Sequence, residues 1–174
     1  LGRLDEAMQD YGKAIQLKPD YVEAYYNRGI ALIDLRQLDE AMQSFDKAIE
    51  LKPDYAKAHN NRGVTLKDLG LPDKAIESYD KAIQLKPDLE EAYYNRGIAL
   101  REMRRLDEAM QNFDRAIQLR PDHPDAFNNR GTAQKDLGRL DEALESYDKA
   151  IQLKPDYAEA HNNRGIALRE MRRL

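Results

Sequence analysis

The sequence predicts an all-α chain built from 34-residue helix–turn–helix repeats, and three observations carry that expectation. A Lys-Pro-Asp or Arg-Pro-Asp phrase sets prolines at Pro19, Pro53, Pro87, Pro121 and Pro155, each 34 residues after the last. An Asn-Arg-Gly phrase sets glycines at Gly29, Gly63, Gly97, Gly131 and Gly165 with the same step. Alanines keep the beat at Ala7, Ala41, Ala75, Ala109 and Ala143, and again at Ala14, Ala48, Ala82, Ala116 and Ala150. A fixed period of this length marks an array of units, each unable to bury its apolar face alone.

The register gives whole repeats at 22–55, 56–89, 90–123 and 124–157. Residues 1–21 supply a second helix alone and 158–174 a first helix alone, all in one solenoid domain. Neither end carries a polar capping helix, so a longer parent array, or one cut at unusual points, is expected. A slower beat overlies the first. Segments 22–55 and 90–123 share 24 of 34 residues, and 56–89 and 124–157 share 23 of 34. A duplicated pair of repeats explains both figures.

Within one repeat, Asp20 precedes an apolar-periodic stretch with Glu23 three residues on, the pattern of an N-cap and capping box. It recurs at Asp88/Glu91 and Asp156/Glu159. The first helix is expected to end near Leu35. The turn after it holds Gly70 and Gly138 in two repeats, suited to a left-handed cap, and Arg36, Arg104 and Arg172 in the others. The second helix starts near Asp39-Glu40, acids well placed against the helix dipole. Its apolar residues Ala41, Met42, Phe45, Ala48, Ile49 and Leu51 follow a 3.6-residue spacing until Pro53 ends it. Pro72 is tolerated at a helix start. Gly29, Ala31, Ala41 and Ala48 allow close approach, and Tyr25, Leu32, Leu35, Phe45 and Ile49 fill the remaining volume.

Composition agrees with a folded helical protein: 41% of residues are hydrophobic and 34% charged, with net charge −4. No basic excess calls for nucleic acid. No apolar run approaches the roughly 20 residues that span a bilayer, so no membrane partner is expected. Cysteine is absent, which removes disulfides and thiolate zinc sites. No signal peptide is visible, and a cytoplasmic location is expected. No nucleophile–base pair, phosphate loop or metal-ligand spacing is present, so neither an enzyme nor a cofactor or metal is expected.

On these residues the sequence resembles the tetratricopeptide repeat family over its whole length. The 34-residue period, the Tyr/His/Phe opening the first helix, its central Gly, the Ala-x-x-x-Phe/Tyr-x-x-Ala core of the second helix and the closing Pro carry the resemblance. Arg before each Gly (Arg28, Arg62, Arg96, Arg130, Arg164) departs from the Leu of many members. The resemblance implies a right-handed superhelix with a concave groove lined by first helices, and binding of a peptide or a partner helix.

The candidate binding residues lie on first helices. A ladder of Asn27, Asn61, Asn95, Asn129 and Asn163 offers one amide per repeat, able to pair with both peptide groups of an extended ligand. It is similar to the asparagine ladder of O-linked GlcNAc transferases. Around it stand Tyr26, Asn60, Tyr94 and Asn128, then Ile30, Val64 and Ile98, then Lys67, Arg101 and Lys135. Glu23, Lys57, Glu91 and Asp125 occupy a further position on this face. The carboxylate clamp of chaperone-binding members needs Lys where Tyr26, Asn60 or Tyr94 stands and Asn where Ile30, Val64 or Ile98 stands, so that recognition is not expected. Tyr21, Tyr55 and Tyr157 in the inter-repeat turns can add aromatic contacts.

Two further sets read as structural. Arg28/Asp46, Arg62/Asp80, Arg96/Asp114 and Arg130/Asp148 are expected to pair the two helices of one repeat. Gly12 in place of the Asp, in a half repeat without its Arg, fits that pairing. His59 and His161 hold the aromatic position of Tyr25, Tyr93 and Phe127, where packing is expected, and His123 lies in a turn before Pro124.

The leading functional expectation is a protein-interaction scaffold. The alternatives are a regulatory or substrate-recruiting segment of a larger enzyme such as a glycosyltransferase, and a head-to-tail self-assembling array joined through its open half repeats.

Overall fold

The computed structural model describes residues 2–172, all helix and turn, with no strand among the described residues. The half repeats expected at 1–21 and 158–174 extend onto residue 1 and residues 173–174, which lie outside the described residues. Two compact units divide after Pro87. The first holds α1 (Gly2–Leu17), α2 (Val22–Asp34), α3 (Leu38–Leu51), α4 (Ala56–Asp68) and α5 (Pro72–Leu85). The second holds α6 (Glu90–Glu102), α7 (Leu106–Leu119), α8 (Pro124–Asp136), α9 (Leu140–Leu153) and α10 (Ala158–Met171). In each unit, consecutive helices pack antiparallel as hairpins: α2 on α3 and α4 on α5, then α6 on α7 and α8 on α9.

Small residues set the hairpin spacing. Ala41, Ala48, Ala75, Ala82, Ala109, Ala116, Ala143 and Ala150 are all fully buried. A Cβ placed on Gly29 would lie 2.6 Å from the Phe45 ring, and one on Gly97 2.7 Å from the Phe113 ring. Tyr79 and Tyr147 cover Gly63 and Gly131 in the same way. The aromatic ring of each second helix thus sits in the notch left by the missing side chain. This explains why the period preserves Gly in the middle of a helix, where it disfavours folding by roughly 0.5–1 kcal/mol relative to Ala.

The turn inside each hairpin is a Schellman cap. Gln37 N–H donates to Leu32 O and Arg36 N–H to Ile33 O, both at 2.9 Å. The same pair of bonds recurs at Leu71/Leu66, Arg105/Leu100 and Arg139/Gln134 with their neighbours. The residue between must be left-handed: Gly70 and Gly138 have φ of 76° and 77°, and Arg36 and Arg104 have 60° and 62°. Arg172 departs from this expectation with φ −71°.

The expected aspartate caps are corrected by the structure. Tyr21, Leu89 and Tyr157, one residue later, hold the N-cap position, and none makes a side-chain capping bond. Tyr21 N–H donates to Lys18 O at 3.1 Å, closing a turn with Pro19 and Asp20 at its centre. Asp20 belongs to that turn, too early in the chain to reach the free amides of α2.

The expected arginine pairing is corrected as well. Arg62 pairs with Asp46 at 2.7 Å and Arg130 with Asp114 at 2.8 Å, and Arg164 also pairs with Asp148. Each aspartate belongs to the preceding repeat. Within its own repeat the same arginine meets a small polar side chain instead. Arg28 Nε donates to Ser44 Oγ at 3.0 Å, Arg62 Nη1 to Ser78 Oγ at 2.8 Å and Arg130 Nε to Ser146 Oγ at 3.1 Å. Arg96 Nη1 reaches Asn112 Oδ1 at 3.4 Å. The arginine therefore stitches hairpin to hairpin. Gly12 occupies the place from which an aspartate would have faced Arg28, whose guanidinium lies over the Tyr25 ring.

Candidate functional site

The first helices place the candidate residues at intervals of three and four, which brings them onto one face. In the first unit α2 and α4 touch, and in the second α6 touches α8 and α8 touches α10. Each unit presents its own version of the face.

In the first unit Asn61 Nδ2 donates to the Tyr26 hydroxyl at 3.1 Å, and Asn60 Nδ2 donates to Asn61 Oδ1 at 3.2 Å. Tyr26 packs against the Tyr55 ring, centroids 4.9 Å apart, and edge-on against Phe45 at 6.1 Å. Burial, with Tyr26 and Glu23 adding to it, raises the Tyr55 phenol above its ordinary value. Asn60 is buried, and Asn61, Val64 and Lys67 are half-buried. Asn27 and Ile30 stand exposed at the surface of α2. Lys67 Nζ is held 2.8 Å from Asp68.

The second unit repeats this cluster and extends it. Asn129 Nδ2 donates to the Tyr94 hydroxyl at 3.1 Å and to Asp125 O at 2.9 Å. Asn163 Nδ2 donates to Asn128 Oδ1 at 3.0 Å, and Asn128 Nδ2 to Glu159 Oε1 at 3.0 Å. The Tyr157 hydroxyl donates to Asp125 Oδ1 at 2.6 Å. Burial, and then the Asp125 charge, pushes the Tyr94 phenol up to about 12, with Arg101 pulling the other way. Burial, its bond to Asp125 and that carboxylate's charge raise the Tyr157 phenol still further. Asn128 is buried. Tyr94, Asn95, Ile98, Arg101, Asn129, Lys135 and Asn163 are half-buried.

The ladder amides at 61, 129 and 163 therefore direct their N–H groups toward the preceding repeat. Their hydrogen bonds join neighbouring first helices, and this fixes the orientation of each amide. Periodicity alone does not reveal that arrangement, because the partner lies 35 residues upstream in every case.

Sequence reading also missed one buried cluster. His123 Nδ1 lies 2.6 Å from Glu90 Oε1, and both side chains are 8% exposed. Arg120 Nη1 lies 3.3 Å from Glu90 Oε2. The His123 ring packs on Tyr94 with centroids 4.6 Å apart, the same stacking that Tyr55 makes on Tyr26. A signal was present. Glu90 stands where the other repeats have Val22, Ala56, Pro124 and Ala158, and His123 where they have Tyr21, Tyr55, Leu89 and Tyr157.

His59 and His161 behave as structural residues. Each ring Nε2 lies 3.0 Å from the carbonyl of Pro53 or Pro155, and the Tyr25 hydroxyl donates to Pro19 O at 3.2 Å. Burial lowers the His59 imidazole below its ordinary value. Among the described residues no cluster of His, Asp and Glu has the arrangement of a metal site, and no helix is long and apolar enough to cross a membrane.

Comparison with known proteins bears on the fold. The tetratricopeptide repeat family model matches residues 22–55, 56–89 and 90–123. A TPR repeat model matches 1–35 and 133–171, and a further tetratricopeptide repeat model matches 112–145. No curated protein matches the chain. Among solved structures, the crystal structure of MamA is similar at 26% identity and TM-score 0.81, covering 91% of this chain and 92% of that one. YrrB, a TPR protein with an unusual peptide-binding site, is similar at 30% identity and TM-score 0.76, covering 92% of this chain and 83% of its own. MamA from Desulfovibrio magneticus RS-1, at 22% identity and TM-score 0.80, shares the fold, with 90% of this chain and 89% of that one covered. By period, by hairpin geometry and by these matches, the chain belongs to the tetratricopeptide repeat family.

Proposed function

We propose that each unit binds a segment of another protein along its first-helix face, and that the chain acts as an interaction scaffold. One observation carries the reading. The core is filled by Ala, Leu, Phe and Tyr, yet this face leaves Ile30 36% exposed and Tyr26, Val64, Ile98 and Ile166 only half-buried between polar columns. Apolar centres among oriented polar groups are the usual composition of a ligand-binding surface. The Asn129 and Asn163 amides, anchored through N–H, offer their oxygens to a ligand as acceptors for its backbone N–H groups. The peptide-binding site of YrrB supports the same reading. Selection of a displayed random peptide library on the protein tests it. Ile30→Asp combined with Ile98→Asp should lower the affinity of selected peptides at least tenfold without changing helix content. Affinity that survives both changes overturns the reading.

A second reading, docking of another copy of the chain, is favoured by α10. A Cβ on Gly165 would meet nothing within 4 Å, whereas the four glycines at 29, 63, 97 and 131 are each covered by a ring. Leu168 beside it is 40% exposed. Tyr11 of α1 sits 34 residues before Phe45 and would cover Gly165 of a second molecule. Association that rises with concentration and is lost in Tyr11→Ala supports this docking, and a monomer at every concentration in sedimentation contradicts it.

A further inference from the structure

Charge is ordered on the binding face of the second unit and disordered on the first. Along α6, α8 and α10, one edge carries Glu91, Asp125 and Glu159 and the other Arg101, Lys135 and Arg169, each followed by an acid (Glu102, Asp136, Glu170), with Lys135 Nζ 3.0 Å from Asp136. The corresponding residues of α2 and α4 are Glu23 and Lys57 on one edge, Ile33 and Lys67 on the other. Between the two charged edges run Tyr94 and Ile98. The edges lie ten residues apart on each helix, about 15 Å along its axis. Both act on the same floor: Asp125 and Glu159 raise the Tyr94 phenol, and Arg101 lowers it.

Geometry selects the ligand backbone. Packed helices lie about 8–10 Å apart, so each edge offers one charge per step of that length. A polyproline II segment advances about 9.3 Å per three-residue turn, which puts residues i, i+3 and i+6 on the same side. A β-strand covers a similar distance in three residues, but its side chains alternate, so i and i+3 face opposite edges. Of these two extended backbones, the polyproline II repeat is the one that stays in register with the helices.

We infer that the second unit binds a polyproline II segment of a partner protein whose cationic residues recur every third position toward Glu91, Asp125 and Glu159, and whose anionic residues recur every third position toward Arg101, Lys135 and Arg169. This deepens the proposed function and rests on it. Tyr94 supplies an aromatic surface for the residue between the charges, and prolyl rings suit such a surface.

The probe is a labelled (Lys-Pro-Glu)4 peptide, read by fluorescence anisotropy at low and physiological salt. It should bind at least tenfold more tightly than a peptide of the same composition with its charges out of the three-residue period. Glu91→Lys with Glu159→Lys makes both edges cationic and should shift preference to (Glu-Pro-Glu)4. Arg101→Glu with Arg169→Glu makes both anionic and should shift it to (Lys-Pro-Lys)4. Arg169 is exposed and Arg101 half-buried, so this second pair stays informative if the first misfolds. Equal binding of the in-period and out-of-period peptides, or unchanged preference in the arginine variant, overturns the inference. If library-selected peptides bind and (Lys-Pro-Glu)4 does not, the charge-order inference alone fails. If neither binds, the groove reading fails with it.

Discussion

Arg130 reaches back 2.8 Å to Asp114 in the preceding hairpin and meets Ser146, not Asp148, in its own. The ion pair thus belongs to the junction between repeats, while a neutral hydroxyl serves the hairpin. A guanidinium with five N–H donors in a fixed fork can satisfy both at once. This pattern accounts for Arg before Gly63 and Gly131 in place of the family's common Leu.

A double-mutant cycle tests that junction. Asp114 is half exposed, so screening limits the pair to about 0.5 kcal/mol. The expected coupling by urea denaturation is of that size for Arg130→Met with Asp114→Asn, and near zero for Arg130→Met with Asp148→Asn. The reverse order would restore pairing within the repeat.

Glycine substitutions should split by position. Gly97→Ala drives a methyl to 2.7 Å from the Phe113 ring and should destabilise by roughly 1–3 kcal/mol. Gly165→Ala meets open space and should stabilise α10 by roughly 0.4–1 kcal/mol, since the helical backbone there suits Ala. Thermal unfolding of the two variants reads both signs.

The Glu90–His123 contact should show partner dependence. Glu90→Val leaves the buried His123 ring without its hydrogen-bond partner and should cost about 1–3 kcal/mol. Adding His123→Tyr recreates the Val22 and Tyr55 of the other repeat pair and should recover most of that loss. Two losses that simply add would show that the groups act separately.

Alkaline pH should weaken the second unit. The Tyr94 phenol sits at about 12 in the fold against about 10 in an unfolded chain. Below pH 10 both states hold the proton and stability is unaffected. Between about pH 10 and 12 the unfolded state releases it first, so stability falls as pH rises. Tyr94→Phe should flatten that slope in urea titrations from pH 9 to 12.

Much of this was legible in the sequence because strict period fixes what every repeat must do. The left-handed turns at Arg36, Gly70, Arg104 and Gly138 followed from turn chemistry, and close approach at Gly29 from its small size, whereas the aromatic ring that fills each glycine notch came into view only with the packing. Caps failed at Asp20, Asp88 and Asp156 because a prolyl turn consumed the residue that composition favoured. Arg–Asp partners failed because two columns filled in every repeat pair equally well within a repeat or across a junction, and only packing decides. The two-repeat beat gained physical meaning from Arg36 and Arg104. Each strained arginine faces the aspartate ending the next first helix, Asp68 at 4.0 Å and Asp136 at 3.1 Å. Gly70 and Gly138 alternate with them and have no side chain to reach with.

Methyl-resolved NMR of the protein with a selected peptide tests the binding face most directly, because isoleucines mark both sides of the hairpins. The expected result is that signals of Ile30, Ile98 and Ile166 on first helices move on titration, while those of Ile49, Ile117 and Ile151 on second helices stay in place. Movement confined to the second helices would contradict binding on the first-helix face.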